Sequence, residues 1–362
     1  MPGSPSTLRR LIPALLFVSA VGYSTISCAD YPALKPGDPP PVATLVGAPE
    51  KPRAERVVII SMDGCRPDAF DAAGAESIKK LIERGAYCAK AETVRPSITL
   101  PSHTAMLTGL DFARHGVVWN NYRPGYIVHP TVFSIVNQVG KKSAMLFSKD
   151  KFHFLANPAC VSWIYGPPVP NKVPKQEDFS DPDQLKEMLK KEEESAKQPA
   201  KKPPTTLTPG EMMTTADMLQ RAFNVAWPQQ KWPLTFVHFR EPDEFGHKKG
   251  WMGPEYLEGV RSVDKAIAGI VDTIEKNGGF EKTALIITAD HGGFNRGHYR
   301  WMEPNKPENV TIPWICVGPG VPAGLKIDRV IHTYDTAPTA LAFIGLGAPE
   351  GIDGKTVEEV LR

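Results

Sequence analysis

The run Ala284-Leu-Ile-Ile-Thr-Ala-Asp290-His-Gly-Gly-Phe-Asn-Arg-Gly-His298 decides the reading of this chain. An apolar, β-branched stretch empties into Asp-His-Gly-Gly, so a buried strand carries a carboxylate and an imidazole to its tip. His298 follows His291 by seven residues. Carboxylate and imidazole are ligands suited to Zn²⁺ or a similar divalent ion. Taken alone, the tetrapeptide also reads as a polar strand-to-loop junction.

Two further segments repeat the pattern. In Thr235-Phe-Val-His-Phe-Arg-Glu-Pro-Asp243-Glu-Phe-Gly-His247 an apolar run again ends in Asp and His. Their spacing of four would share one helix face, but Pro242 and Gly246 predict a loop. Val57-Val-Ile-Ile-Ser-Met-Asp63-Gly64 is a third apolar run that ends in Asp. Any one of these aspartates could be a turn or cap residue. Three such ends, two of them adding His, point instead to convergence, because ligands in an open α/β sheet sit beyond the carboxyl ends of the strands.

The expected strands are Val57–Met62, Ala144–Phe147, Leu234–Phe239, Ala284–Ala289 and Pro313–Val317. Helical spacing separates them, over Met212–Trp227 and over Glu255–Lys276 with its stripe of Val260, Val263, Ile267, Ile270, Val271 and Ile274. A late helix runs over Asp335–Ile344, opened by an Asp/Thr cap with Pro338 in its first turn. Such alternation predicts an α/β fold, a three-layer sandwich around a mainly parallel central sheet.

Arg95-Pro-Ser-Ile-Thr99-Leu-Pro101-Ser-His103-Thr-Ala-Met-Leu-Thr-Gly109 reads as a loop entering a short helix. Pro101 suits the first helical position and Gly109 the stop. Thr99 then lies beside a helix N-terminus, where free N–H groups and the dipole favour an anion such as a phosphoryl group. A hydroxyl needs a base or a metal to become a nucleophile. Without one, Thr99 reads as an N-cap.

These residues resemble the nucleotide pyrophosphatase/phosphodiesterase branch of the alkaline phosphatase superfamily. The matching pieces are Ile60–Gly64, Thr99–His103 with Thr108–Leu110, His115–Asn121, Glu241–His247 and Asp290–Gly293. They occur in the family's order, from about Arg56 to the C-terminal end. The resemblance implies an alkaline-phosphatase-like fold and two Zn²⁺ ions, with other divalent metals as alternatives. Asp63, Asp290 and His291 would hold one ion, completed by Thr99 as nucleophile. Asp243, His247 and a third histidine would hold the other. Asn120 matches the amide that contacts the phosphoryl oxygen. Paired metals of this kind clamp the attacking and leaving oxygens of an in-line displacement. Nucleotide-cleaving members take their last histidine from a Thr-His-Gly near the C-terminus, where this chain has Gly351-Ile-Asp-Gly354. His298 is therefore the expected sixth ligand and His332 the fallback. Trp119 stands where many relatives carry Asp, which leaves the substrate open among phosphodiesters, pyrophosphates and phosphonates.

The remaining histidines read differently. His103 and His115 are expected to brace loops, His238 to be a satisfied core residue, and His129 and His153 carry no signal. Cys65 is expected to be a packed thiol rather than a ligand.

The chain has 362 residues, 41% of them hydrophobic, and a formal net charge of +2 with both signs mixed, so no nucleic-acid-binding surface is expected. Arg9-Arg10, an apolar run over Leu11–Val21 and the small-residue site Ser27-Cys-Ala29 predict a signal peptide over 1–29, hence export to the periplasm or beyond with no transmembrane segment remaining. A lipoprotein acylated at Cys28 is the alternative. The 36 prolines are about twice the usual share. Many lie in a tether over residues 30–55, expected to be extended or disordered, and in a Lys/Glu-rich surface insertion at about 166–209. Residues 56–362 form the expected catalytic domain. Cys65, Cys88, Cys160 and Cys316 remain after signal removal; they permit disulfides without compelling any.

The expected function is an exported metal-dependent hydrolase of phosphodiester or pyrophosphate bonds that works through a phosphothreonine. A phosphomonoesterase or phosphonate hydrolase is the runner-up. A sulfatase is disfavoured because Thr99-Leu-Pro-Ser-His103 lacks the oxidisable Cys or Ser of that branch. From another class, a non-catalytic metal-binding envelope protein remains possible. Oligomeric state is not legible.

Overall fold

In a computed structural model, residues 28, 30–49, 51–174, 215–298 and 306–362 are described, with 183, 184, 186, 187, 190 and 194 between them. The expected signal peptide up to residue 27 and most of the 166–209 insertion lie outside the described residues. Among the described residues, no helix is long and apolar enough to cross a membrane.

The strands are β1 (Leu45–Val46), β2 (Arg56–Met62), β3 (Ala86–Glu92), β4 (Ser143–Leu146), β5 (Trp163–Tyr165), β6 (Leu234–Phe239), β7 (Thr283–Thr288), β8 (Thr311–Val317), β9 (Leu325–Lys326) and β10 (Ala348–Pro349). An eight-stranded sheet has the order β5-β4-β6-β2-β7-β8-β3-β9. From β5 to β7 every neighbouring pair is parallel, and β8 runs antiparallel to both β7 and β3. The mainly parallel sheet is thus the one expected, with β2, β6 and β7 adjacent at its centre. Every residue of these three strands is buried, as sheets flanked by helices require.

Named in chain order, the helices are α1 (Ala69–Ala73), α2 (Glu76–Arg84), α3 (Thr99–Thr108), α4 (Phe112–His115), α5 (Val132–Gln138), α6 (Thr215–Gln230), α7 (Glu241–Lys249), α8 (Pro254–Lys276), α9 (Pro307–Val310) and α10 (Thr336–Phe343). The α8 stripe packs against α1, α2, α6 and α7, while α10 packs on α3 and across β2 and β7. Asp335 does not cap α10 as expected. Its carboxylate accepts from the N–H of His332 (2.9 Å) and of Lys355 (2.8 Å), closing the turn before the helix and pinning the C-terminal segment. β3 was not expected: a register shift between Cys88 and Ala91 breaks its alternation and leaves Lys90 exposed.

The Pro-rich tether is extended over most of its described length, and parts of it pack against the domain. Tyr31 is buried, Leu34 bridges Tyr126 through both backbone hydrogen bonds, and β1 pairs with β10. Proline costs nothing in short edge segments that leave N–H groups unused, and one buried aromatic ring offsets the ordering of several residues. The described cysteines are all buried free thiols.

His115 ends α4, is fully buried, and accepts the Val117 N–H through Nδ1 (3.1 Å). Burial, with His129 adding to it, pulls its pKa from 6.5 down to about 3. The unfolded chain therefore takes up the proton first, and the stability due to the neutral ring is lost as pH falls below 6.5. Acidification from pH 7 to pH 5 should cost about 2 kcal/mol through this residue alone. Urea titrations of wild type and His115→Gln check this: the variant should show a shallower pH slope, and an equal slope would contradict it.

Candidate active site

The three central strands deliver the expected side chains together. β2 ends at Asp63, β7 is followed by Asp290 and His291, and β6 leads into α7 with Asp243 and His247. Here the expected loop is a helix. Pro242 occupies its first turn, where a missing N–H costs nothing. Gly246 lies inside the helix, where a Cβ would stand 2.6 Å from the Trp251 ring, so the glycine serves close packing rather than a turn. Asp243 and His247 therefore do share a helix face. Gly64, at φ +68°, turns the chain sharply after Asp63, and a side chain there would press on the Asp243 backbone at 3.0 Å.

Three histidines are fixed in one tautomer by backbone carbonyls. His291 Nδ1 lies 2.8 Å from Gly292 O, His247 Nδ1 lies 3.1 Å from Arg296 O, and His298 Nδ1 lies 2.5 Å from Ser97 O. A carbonyl only accepts, so each Nδ1 carries a proton, and a ring in its neutral form presents its Nε2 lone pair. The three Nε2 atoms then turn on the carboxylates. His291 Nε2 is 3.5 Å from Asp63, 3.3 Å from Asp290 and 3.9 Å from Asp243. His247 Nε2 is 3.3 Å, and His298 Nε2 3.7 Å, from Asp243. His247 and His298 bring their Nε2 atoms within 3.1 Å of each other. Two lone pairs do not tolerate that distance without a cation or a proton against them.

The carboxylates make the same demand. Asp63 Oδ1, Asp243 Oδ1, Asp290 Oδ2 and His291 Nε2 are buried and have no hydrogen-bond partner among the described residues. The rest of each aspartate is tied down: Asp290 Oδ1 accepts from the Gly64 and His291 N–H groups, both at 3.0 Å, and Asp63 Oδ2 accepts from His238 Nε2 (2.8 Å). Uncompensated buried polar atoms are rare and mark an absent partner. Two sets meet a metal's spatial demand, Asp63–Asp290–His291 and Asp243–His291–His298. Orientation by second hydrogen bonds is how metal ligands are held, so these residues fit divalent cations.

Lys149 was not anticipated from the sequence. Its ammonium lies 2.6 Å from Asp63 Oδ2 and 2.6 Å from Asp243 Oδ2. Burial alone would raise both carboxyls, but Lys149 outweighs it and holds Asp63 and Asp243 well below the carboxylate range. Asp290 gains less from the lysine, and burial together with the Asp63 charge drives it well above that range. Burial likewise lowers His291 and His298, whereas Asp243 overcomes burial to raise His247.

Thr99 is buried at the head of α3. Its carbonyl accepts from His103 Nδ1 (2.7 Å), and the same nitrogen is 3.5 Å from Asp290 Oδ2. Ser97, two residues earlier, grips His298: its carbonyl takes the Nδ1 proton and its hydroxyl donates to the His298 carbonyl (2.6 Å). Asn120 Oδ1 accepts the Leu100 N–H at 2.9 Å. A backbone N–H only donates, so the Asn120 NH₂ faces the other way.

The structure thus brings Asp63, Asp243, His247, Asp290, His291 and His298 into one cluster, with Thr99 and Asn120 on neighbouring segments. His332 stays outside it, stacked on Tyr334. His103 and His115 brace their segments. His238 is more than a core residue: Ser148 Oγ donates to its carbonyl, the Ser148 N–H points at its Nδ1, and its Nε2 holds Asp63. The only sequence signal for it was an imidazole beside an expected ligand strand. Lys149 gave none, since lysines after a strand are usually solvated.

A family model described as type I phosphodiesterase / nucleotide pyrophosphatase matches residues 57–298. The chain belongs to that family. Arylsulfatase K of Bos taurus is 25% identical over 305 residues, 71% of this chain and 56% of that protein. Bis(5'-adenosyl)-triphosphatase enpp4 of Mus musculus is 28% identical over 256 residues, 66% of this chain and 47% of that protein. The chain thus spans about half the length of these curated relatives. Among solved structures, alkaline phosphatase PafA aligns at TM-score 0.61 with 13% identity, over 87% of this chain and 100% of that one. Murine ectonucleotide pyrophosphatase/phosphodiesterase 5, in an inactive form in complex with AMP, aligns at 0.55 with 12% identity, over 84% and 98%. The fold is that of the alkaline phosphatase superfamily.

Removing Lys149 should leave two buried carboxylates unneutralised. In chelator, Lys149→Met is expected to lose about 3–5 kcal/mol against wild type in urea titrations. Unchanged stability would mean that solvent, not the lysine, neutralises them.

Proposed function

We propose that this chain is an exported phosphoester hydrolase that uses Thr99 as nucleophile at a pair of Zn²⁺ sites. One observation carries the reading: three histidines whose Nδ1 atoms are held by backbone carbonyls meet three aspartates that each keep one buried oxygen without a hydrogen-bond partner among the described residues. Asp63, Asp290 and His291 would hold one ion beside Thr99; Asp243, His247 and His298 would hold the other. When bound, the ions supply positive charge for the attacking and leaving oxygens of an in-line displacement. The chain's own residues do the rest. The Thr99 oxygen bonds to phosphorus as the leaving-group oxygen departs, giving a phosphothreonine, and water then releases phosphate or a phosphate monoester. Asn120, its Oδ1 anchored on Leu100, donates its NH₂ to a phosphoryl oxygen as charge builds there. The N-terminus of α3 favours the same anion.

Family membership favours phosphodiesters and pyrophosphates as substrates. Lys149 favours a second reading. It places a further buried positive charge beside both carboxylate groups, which suits the dianionic phosphoryl group of a monoester better than the monoanion of a diester. Export rests on the Arg9-Arg10 and Leu11–Val21 pattern.

Purified protein should hydrolyse chromogenic phosphoesters, lose that activity in chelator and recover it with Zn²⁺. Thr99→Ala should retain metal and lose at least about 10³-fold in kcat. An active Thr99→Ala would remove the covalent step. The ratio of kcat/KM for p-nitrophenyl phosphate and bis(p-nitrophenyl) phosphate separates the two substrate readings.

A further inference from the structure

The N-terminal segment packs on the loop that carries Asn120. Tyr31 sets its ring edge-on to Trp119, with centroids 5.0 Å apart, and to Phe154 at 5.8 Å. Trp119, the residue before Asn120, is fully buried and meets Phe154 edge-on at 5.1 Å. Arg123 then spans the two segments: its guanidinium lies 4.7 Å from the Trp119 ring centroid and donates to the Tyr31 carbonyl at 3.1 Å. A few residues on, the Leu34–Tyr126 bridge closes with two backbone hydrogen bonds of 2.8 Å each. Gly125 permits that approach, since a Cβ there would stand 2.8 Å from Leu34 O.

Trp119–Asn121 belongs to no helix or strand, and among the described residues the Asn120 side chain is buried and anchored by a hydrogen bond from the Leu100 N–H. Loops without a regular ladder keep their geometry only through packing and side-chain bonds. We infer that residues 31–34 are a positioning strap: Tyr31, through Trp119 and Arg123, sets where Asn120 presents its amide to the phosphoryl group. Tyr31 is thus a positioning residue, not a catalytic one. The inference rests on the assignment of Asn120 to the phosphoryl oxygen made above. Misplacement of a donor by a fraction of an ångström weakens it most where charge develops. The loss should therefore appear in kcat rather than KM.

A double-mutant cycle in the zinc-loaded full chain tests this, with p-nitrophenyl phosphate and bis(p-nitrophenyl) phosphate as probes. Tyr31→Ala should lower kcat roughly 10-fold in the wild-type background. In the Asn120→Ala background the same change should cost less than about twofold. Tyr31→Phe, which keeps the ring, should restore turnover. Should Tyr31→Ala fold poorly, Gly125→Ala pries the strap off from the other side and should show the same non-additivity. Equal losses from Tyr31→Ala with and without Asn120 would overturn the strap and leave the Asn120 assignment standing. An Asn120→Ala enzyme with full turnover would overturn the assignment itself, and the strap with it.

Discussion

Three aspartates are buried side by side at the tips of three adjacent strands, and almost everything nearby is arranged to tolerate that crowding. Isolated carboxylates in such a place would be protonated or would not fold there. Lys149 neutralises two of them, His238 shares Asp63 Oδ2 with it, and two backbone N–H groups hold one oxygen of Asp290. Among the described residues, one oxygen of each aspartate and the Nε2 of His291 keep no hydrogen-bond partner, and the Nε2 atoms of His247 and His298 lie beside Asp243. Such a set binds a cation far more strongly than it binds water.

The fold supplies this geometry cheaply. Parallel strands end together, so residues distant in sequence arrive at one line: Asp63 from β2, Asp290 from β7, and the head of α7 from β6. Glycine sharpens the arrangement where the chain must double back. Gly293 lies against the Trp251 ring, whose atoms would be 2.1 Å from a Cβ, while the Trp251 indole donates to the Gly64 carbonyl at 2.8 Å. The loops after Asp63 and after His291 are therefore locked to each other through one indole.

Much of this was legible from the chain alone, because apolar runs ending in Asp or Asp-His are local signals. The five expected strands and the long α8 stripe rest on periodicity that no tertiary contact needed to override. Legibility failed where partners are distant. Pro242 and Gly246 speak for a loop, but Pro242 falls in the first helical turn and the space a Gly246 side chain would need is taken by Trp251, so both residues fit a helix. Lys149 looks like a solvated lysine until β4 is placed beside β6. The Pro-rich stretch around Tyr31 lacks any period, and its order comes from Trp119, Phe154 and Arg123, far along the sequence. Ligand types can be read locally; what orients them cannot.

The most direct measurement is anomalous scattering from crystals of the zinc-loaded protein. Two peaks ~4 Å apart are expected, one against Asp63, Asp290 and His291 with the Thr99 oxygen, and one against Asp243, His247 and His298. A cavity free of zinc at saturating concentration, or ions bound elsewhere while those Nε2 atoms bond only to protein groups, would contradict the account.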